Sequence, residues 1–391
     1  MTMEREVGSP AVQALDRRDF LKAGAALAGA VALPGSAWGM LAPAYKTRRV
    51  LLVLFAGGVR SRDTIGTPAN VPNLMRMAEK GVVLPNCRSA NLGHYGASLS
   101  ILTGAPEYMG IRENSRGYNP TVFEYVRKSL ALPASGAWLS ANNGSQGVNF
   151  AYGLHRQWGA PFGANVIDGD GIFNQEFREV LTQFGTPRGD SPAEAAALAR
   201  LRGAVRVDGD AKVLNDEATA ARVEKYIVDE ITRSETVSMT GPGAGDAKAL
   251  RIAGNILQIF KPTLACVSLT NADVAHGSYN AYVDVIKRND QELGRILDAV
   301  EQDAALRDST SIFVVPEFGR DKNLNQRNGL DHGDGSDELN KVACVAWGPD
   351  FKPGKTITAD CDTIDLCPTI CRLLGVEAPL ARGKLLPRLL G

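Results

Sequence analysis

Charge of one sign is missing from this sequence. Its 43 Lys and Arg balance its 43 Asp and Glu over 391 residues, so no net field steers it toward nucleic acid or an anionic membrane surface. No basic tail and no groove pattern of interleaved aromatic and basic residues occurs, which removes nucleic acid from the expected partners. Aromatics are scarce at 6%, and only four histidines occur. The six cysteines, Cys87, Cys266, Cys344, Cys361, Cys367 and Cys371, form no C-x-x-C pair and no Cys/His spacing of a zinc knuckle, which argues against dithiol redox chemistry. Cys266 and Cys344 sit in apolar runs, where a free thiol behaves as a small hydrophobe. An oxidising compartment would permit one disulfide involving Cys361. Beyond the N-terminal segment no apolar stretch approaches the length of a membrane span, so no transmembrane segment is expected in the mature chain.

What is present begins with an address. Asp16-Arg17-Arg18-Asp19-Phe20-Leu21-Lys22 leads into an Ala/Gly-rich apolar run, Ala23 to Leu33, and then into small residues from Ser36 to Ala44. Positive residues, apolar run and small residues in that order are the layout of a cleaved export signal. The paired arginines resemble the twin-arginine type, with Asp16 where Ser or Thr is usual. Residues 1–44 are therefore expected to be a signal peptide, with the twin-arginine translocase as partner in export and a periplasmic or secreted mature chain, 45–391.

Strands and helices alternate along that mature chain. Val50 to Phe55 is continuously apolar and ends at Ala56-Gly57-Gly58, which reads as a buried parallel strand. Pro72 to Lys80 reads as a helix closed by Gly81. Further strands are expected at Val82 to Leu84, Thr263 to Leu269, Ser311 to Val315 and Val342 to Trp347. Tyr279, Tyr282, Val283, Ile286, Leu293, Ile296, Leu297 and Val300 recur at helical spacing, and Ile364 to Leu374 reads as a last helix. The fold class is α/β, with a mostly parallel sheet flanked by helices on both faces. Residues 150–250 are richer in Ala, Gly, Asp and Glu, with helical stretches at Pro192 to Leu201 and Asn215 to Ile231; they are expected to form a helical insertion or cap.

Four stretches together resemble the alkaline phosphatase and sulfatase superfamily. They are Val50 to Arg60 with Thr67-Pro68 and Val71 to Gly81; Ala97 to Gly104; Asn271-Ala-Asp-Val-Ala-His276; and Pro316-Glu-Phe-Gly-Arg320 through Asp331-His-Gly333, Trp347-Gly-Pro349 and Thr363 to Ile370, closing on Leu373-Leu-Gly375. Glu317 to Arg320 with Asp331-His332 also looks like a twin-arginine-exported subgroup of unknown function. The resemblance implies a divalent metal held by Asp273, His276 and His332. One carboxylate and two imidazoles leave an open position, as catalytic zinc sites do, and imidazole favours zinc over Ca or Mg. A second metal site is implied only weakly: Ala56 or Gly57 stands where its first Asp belongs, Glu317 can replace one carboxylate, and Phe318 cannot ligate. His94 occupies the slot of the nucleophile. It is open as a phosphate-accepting nucleophile, a general acid or base, a metal ligand or a turn residue. Arg60 and Arg320 are candidates for stabilising oxyanion charge. The expected activity is hydrolysis of phosphate or sulfate esters, with a small-molecule ester or oxyanion as ligand. The alternative is an inactive member of the same fold that binds or assembles in the cell envelope, suggested by Ala56, Phe318 and the missing Ser or Thr nucleophile.

Overall fold

Alternation along one strand builds both cores. The computed structural model describes residues 45–108, 115–142, 144–168, 205–206, 217–233 and 235–386, with the isolated positions 192, 196 and 389. The signal segment 1–44 and most of Pro192 to Leu201 therefore lie outside the described residues. Strand β1 (Arg49–Phe55) is buried along almost its whole length. Its Val50, Leu52 and Leu54 pack into one core, while Leu51, Val53 and Phe55 pack into the other. Successive side chains of a strand point to opposite faces, so a continuous apolar run marks a strand covered on both sides.

Ten strands join in one sheet. They are β1, β2 (Val82–Arg88), β3 (Ala137–Ala141), β4 (Asn165–Asp168), β5 (Val205–Arg206), β6 (Leu264–Leu269), β7 (Thr310–Pro316), β8 (Lys341–Trp347), β9 (Lys355–Thr356) and β10 (Cys361–Asp362). The order is β10-β2-β8-β7-β1-β6-β3-β4-β5, with β9 beside β2. The central strands β7, β1, β6, β3 and β4 are parallel. β8 runs antiparallel to both β7 and β2, and β5 antiparallel to β4.

Helices α1 (Pro72–Glu79), α2 (His94–Thr103), α3 (Val122–Ser129), α4 (Gly144–Phe150), α5 (Glu217–Arg233), α6 (Ala244–Phe260), α7 (Tyr279–Gln302) and α8 (Leu366–Leu373) complete the described architecture, with short turns between them. Residues of α2, α3 and α8 fill one core, and residues of α1, α6 and α7 fill the other. Among the described residues numbered 150–250, both a strand and a helix occur. Asn165–Asp168 is a strand inside the sheet, and α5 packs Val223, Tyr226 and Ile227 against Trp138 of β3 and Ile167 of β4. Four residues with polar ends carry too little apolar periodicity to be read as a strand, and only its place beside β3 makes it one.

Two local features fix the frame. Val71, at the start of α1, supplies no capping side chain. Asp290 of α7 does so from across the core, accepting from the Leu74 amide at 2.8 Å and the Asn73 amide at 3.0 Å. All six cysteines are buried. Cys87 and Cys361 are direct cross-strand partners with their Sγ atoms 2.6 Å apart. Among the described residues no helix is long and apolar enough to cross a membrane.

Candidate metal centre

Three neighbouring parallel strands release their chains at one end of the sheet, and the loops that follow meet there. β1 turns at Gly57-Gly58, β6 runs into the 3-10 turn Asn271–His276, and β7 ends just before Glu317. In α/β sheets this carboxyl end is where ligands bind. His94 joins them as the first residue of α2. Further along the loop after β7, Leu330 reaches in, its amide donating to Ala275 O at 2.7 Å, and so brings Asp331 and His332 alongside. Behind the 3-10 turn lies a buried polar frame. Asp246 accepts from the Asn271 amide, Asn142 and Asn289 at 3.0, 2.7 and 2.9 Å.

His94, Asp273, His276 and His332 each direct one potential ligand atom into a space where all four atoms lie within 4.8 Å of one another. The structure thus brings together the expected Asp273, His276 and His332 and adds His94. Glu317 stands behind this group. It is fully buried, receives the Ser98 hydroxyl on Oε2, and holds His94 Nδ1 at 2.5 Å on Oε1. His94 Nε2 is buried and lies 3.0 Å from Asp273 Oδ1, an ion-pair contact that is not aligned as a hydrogen bond. Phe318 is buried against the rings of His94 and His332, with centroids 4.8 and 5.2 Å away.

His276 is spoken for at both nitrogens: Nδ1 meets Asp331 Oδ1 at 2.6 Å, and Nε2 meets Arg320 Nη1 at 3.1 Å. Arginine cannot accept a hydrogen bond, so Nε2 carries the lone pair and the proton sits on Nδ1. Asp331 was visible in the sequence as part of a motif; its role in fixing the His276 tautomer was not. Asn325, which donates to Asp331 Oδ2 at 3.0 Å, carried no sequence signal at all.

The two arginines are placed differently from direct oxyanion binders. Arg320 is wholly buried, and each of its five N–H groups meets an acceptor. These are Gly58 O (3.2 Å), Leu330 O (3.2 Å), His276 Nε2, Asp273 Oδ1 (2.5 Å) and Gly57 O. Arg60 is buried on Asp63 at 2.6 and 3.1 Å and donates to the carbonyls of Asp321 and Lys322 at 2.9 and 3.0 Å. It therefore pins the loop that leads to His332. Burial explains both arrangements, because a guanidinium removed from water needs acceptors for every donor.

The charges are strongly coupled. Burial alone would lower His94, but the charge of Glu317 and the contact with Asp273 outweigh it and push the imidazole up to about 9. Burial would raise Asp273, yet His94 and Arg320 hold it well below the usual carboxylate range. Complete burial pushes Glu317 up, with His94 opposing. The shifts of His94 and Glu317 pull in opposite directions; the state that stands is imidazolium on carboxylate, because two carboxylates flank one ring. His332 is lowered to about 4, first by burial and then by the charge of His94 and Arg320. It is neutral at pH 7 and offers a lone pair.

Comparison with known proteins now adds to this geometry. A model of the twin-arginine translocation pathway signal sequence matches residues 14–34. The steryl-sulfatase of Mus musculus is 26% identical over 139 residues, covering 30% of this chain and 22% of the mouse protein. The match thus spans about a fifth of that relative's length. Among solved structures, wild-type alkaline phosphatase PafA aligns with a TM-score of 0.56 at 11% identity, over 88% of this chain and 99% of that one. A sulfatase of Pseudoalteromonas sp. aligns at 0.50 and 13%, over 88% and 72% of the two chains. A phosphonate monoester hydrolase of Agrobacterium radiobacter aligns at 0.50 and 14%, over 88% and 77%. The chain shares the fold of these alkaline phosphatase and sulfatase structures, and its residues 14–34 match a twin-arginine export signal.

Proposed function

We propose that this exported chain, built on the alkaline phosphatase and sulfatase fold, is a metal-dependent hydrolase of phosphate or sulfate esters acting in the periplasm or outside the cell. The observation that carries the reading is the convergence of His94, Asp273, His276 and His332 within 4.8 Å at the carboxyl end of the sheet. The donor chemistry fits a divalent ion. His94 Nε2 is a buried nitrogen with no aligned hydrogen bond, only the ion-pair contact with Asp273, and His332 is neutral at pH 7. Imidazole donors beside one carboxylate favour zinc over calcium or magnesium. Such an ion would supply Lewis-acid polarisation of the ester oxygen.

The chain's own residues do the rest. Glu317 fixes the His94 ring through Nδ1, which leaves Nε2 aimed into the cluster. Asp331 and Arg320 fix His276 from both sides, so neither ring has freedom to rotate away. Phe318 closes the floor under His94 and His332 and keeps water from that side. Ligation at His94 Nε2 expels its proton, so metal uptake is expected to release one proton near neutral pH.

One observation favours a second reading, a non-catalytic binding protein of the envelope. The serine hydroxyl closest in sequence to His94, that of Ser98, is fully buried and donates to Glu317, so it is not presented as a nucleophile. Elemental analysis of the mature protein beside Asp273→Ala and His332→Ala, followed by a panel of phosphate and sulfate esters, separates the two. Turnover lost with the metal in His332→Ala supports the hydrolase. A metal-loaded protein inert on the whole panel refutes it.

A further inference from the structure

We propose that the Arg320 guanidinium is a built-in second cation of this centre, so that the site takes one divalent ion beside a charge carried by the protein itself. The inference rests on reading the cluster as a metal site, and it says which donors the ion receives.

Two nests of polar atoms share Asp273. The first contains His94 Nε2, Asp273 and His332. The second contains the carbonyl oxygens of Gly57, Gly58 and Leu330, together with Asp273 Oδ1 and His276 Nε2, and all five of these accept from Arg320. Oxygen and imidazole acceptors drawn from several loops around one point of positive charge are what a bound cation would collect. Here the charge is permanent, because a guanidinium does not lose its proton in a protein. Arg320 is wholly buried, so its position is set by these contacts and not by solvent.

The glycine corner after β1 shows that the second nest is shaped for arginine. A Cβ at Gly57 would fall 2.7 Å from Thr270 O and 2.8 Å from the Asp273 amide nitrogen. A Cβ at Gly58 would fall 2.9 Å from Arg320 Nε, and Gly58 has φ +68°. No carboxylate side chain fits at either position, so the corner offers carbonyl oxygens alone, and these face guanidinium donors. Phe318, beside the same corner, offers no donor atom. A divalent ion placed in this nest would sit against that fixed positive charge, which Asp273 already pairs.

His276 is the residue that changes sides. Its Nδ1 is spent on Asp331 and its Nε2 on Arg320, so it serves the guanidinium and only positions the ion's neighbour. The ion is left with His94, Asp273 and His332, a three-donor set with room for substrate.

The test is metal stoichiometry by elemental analysis, with binding curves against a chelator, on zinc-loaded mature protein and on His276→Ala, His276→Gln and His332→Ala, with circular dichroism confirming the fold. The glutamine variant keeps an acceptor for Arg320 if alanine proves unstable. The expected result is one zinc per chain in the wild type, retained in a folded His276 variant and lost in His332→Ala. Two zinc ions per chain overturn the second-cation assignment and leave the hydrolase reading standing. Loss of zinc in folded His276→Gln, equal to that in His332→Ala, does the same. No zinc in the wild type overturns the metal reading itself, and the second-cation assignment falls with it.

Discussion

Helix α1 begins without a cap of its own, and its stability should hang on one residue far away in sequence. Asp290 accepts from the Leu74 amide at 2.8 Å, the Asn73 amide at 3.0 Å and the Asn73 side chain at 3.0 Å, while itself only 3% exposed. In Asp290→Ala the Asn73 amide, which is partly exposed, can turn to water. The Leu74 amide cannot, because Leu74 is buried. Loss of a cap costs about 0.5–2 kcal/mol, and stranding a buried donor costs about 1–3 kcal/mol. Against this stands the burial that pushes the Asp290 carboxyl up, a penalty that its removal relieves. The net expectation is a loss of about 2 kcal/mol for alanine and about 1 kcal/mol for Asp290→Asn, whose single carbonyl oxygen keeps one of the bonds. Urea unfolding measures it as a lower midpoint at unchanged slope. An alanine variant within about 0.5 kcal/mol of the wild type would refute the capping argument.

Other expectations follow from equally local features. Gly58→Ala should lose about 2–4 kcal/mol in thermal unfolding, from a left-handed backbone and a Cβ against Arg320 and Phe318; a variant with the wild-type midpoint would contradict it. Glu124 is buried and accepts from the amides of Thr121, Gly153 and Gly159, and burial outweighs these bonds to push it up to about 7. A folded value above the unfolded one gives stability that is full below about pH 4.5 and lost as pH rises through about 7, on the order of 3 kcal/mol. Wild type should therefore lose ground to Glu124→Gln between pH 5 and pH 8 in urea unfolding, and a gap independent of pH would argue that the amide donors dominate. All six cysteines are buried, so in reducing buffer none should react with a thiol reagent until urea is added; rapid labelling of the folded protein would contradict this burial.

The sequence by itself determined the elements that close on their own pattern. The apolar runs at β1, β6, β7 and β8 were legible because a strand covered on both faces must be apolar throughout, and α7 was legible because its buried residues recur at helical spacing. Asp273, His276, His332, Glu317 and Arg320 stood out because they sat in ordered motifs at the ends of such runs. β3 and β4 were missed, since five and four residues give too short a period to separate from a loop.

Only the tertiary structure decided how those site residues divide the work. His94 and Glu317 are 223 positions apart and meet because the start of α2 and the end of β7 lie at the same end of the sheet. Arg320 read as a candidate for binding substrate oxyanions, yet every N–H it has is consumed by acceptors that folding brings from two other loops and from Leu330 further along its own. Sequence fixes which groups can donate and accept. The distance and angle that commit a donor to one acceptor are properties of chain crossings, and no local pattern encodes them.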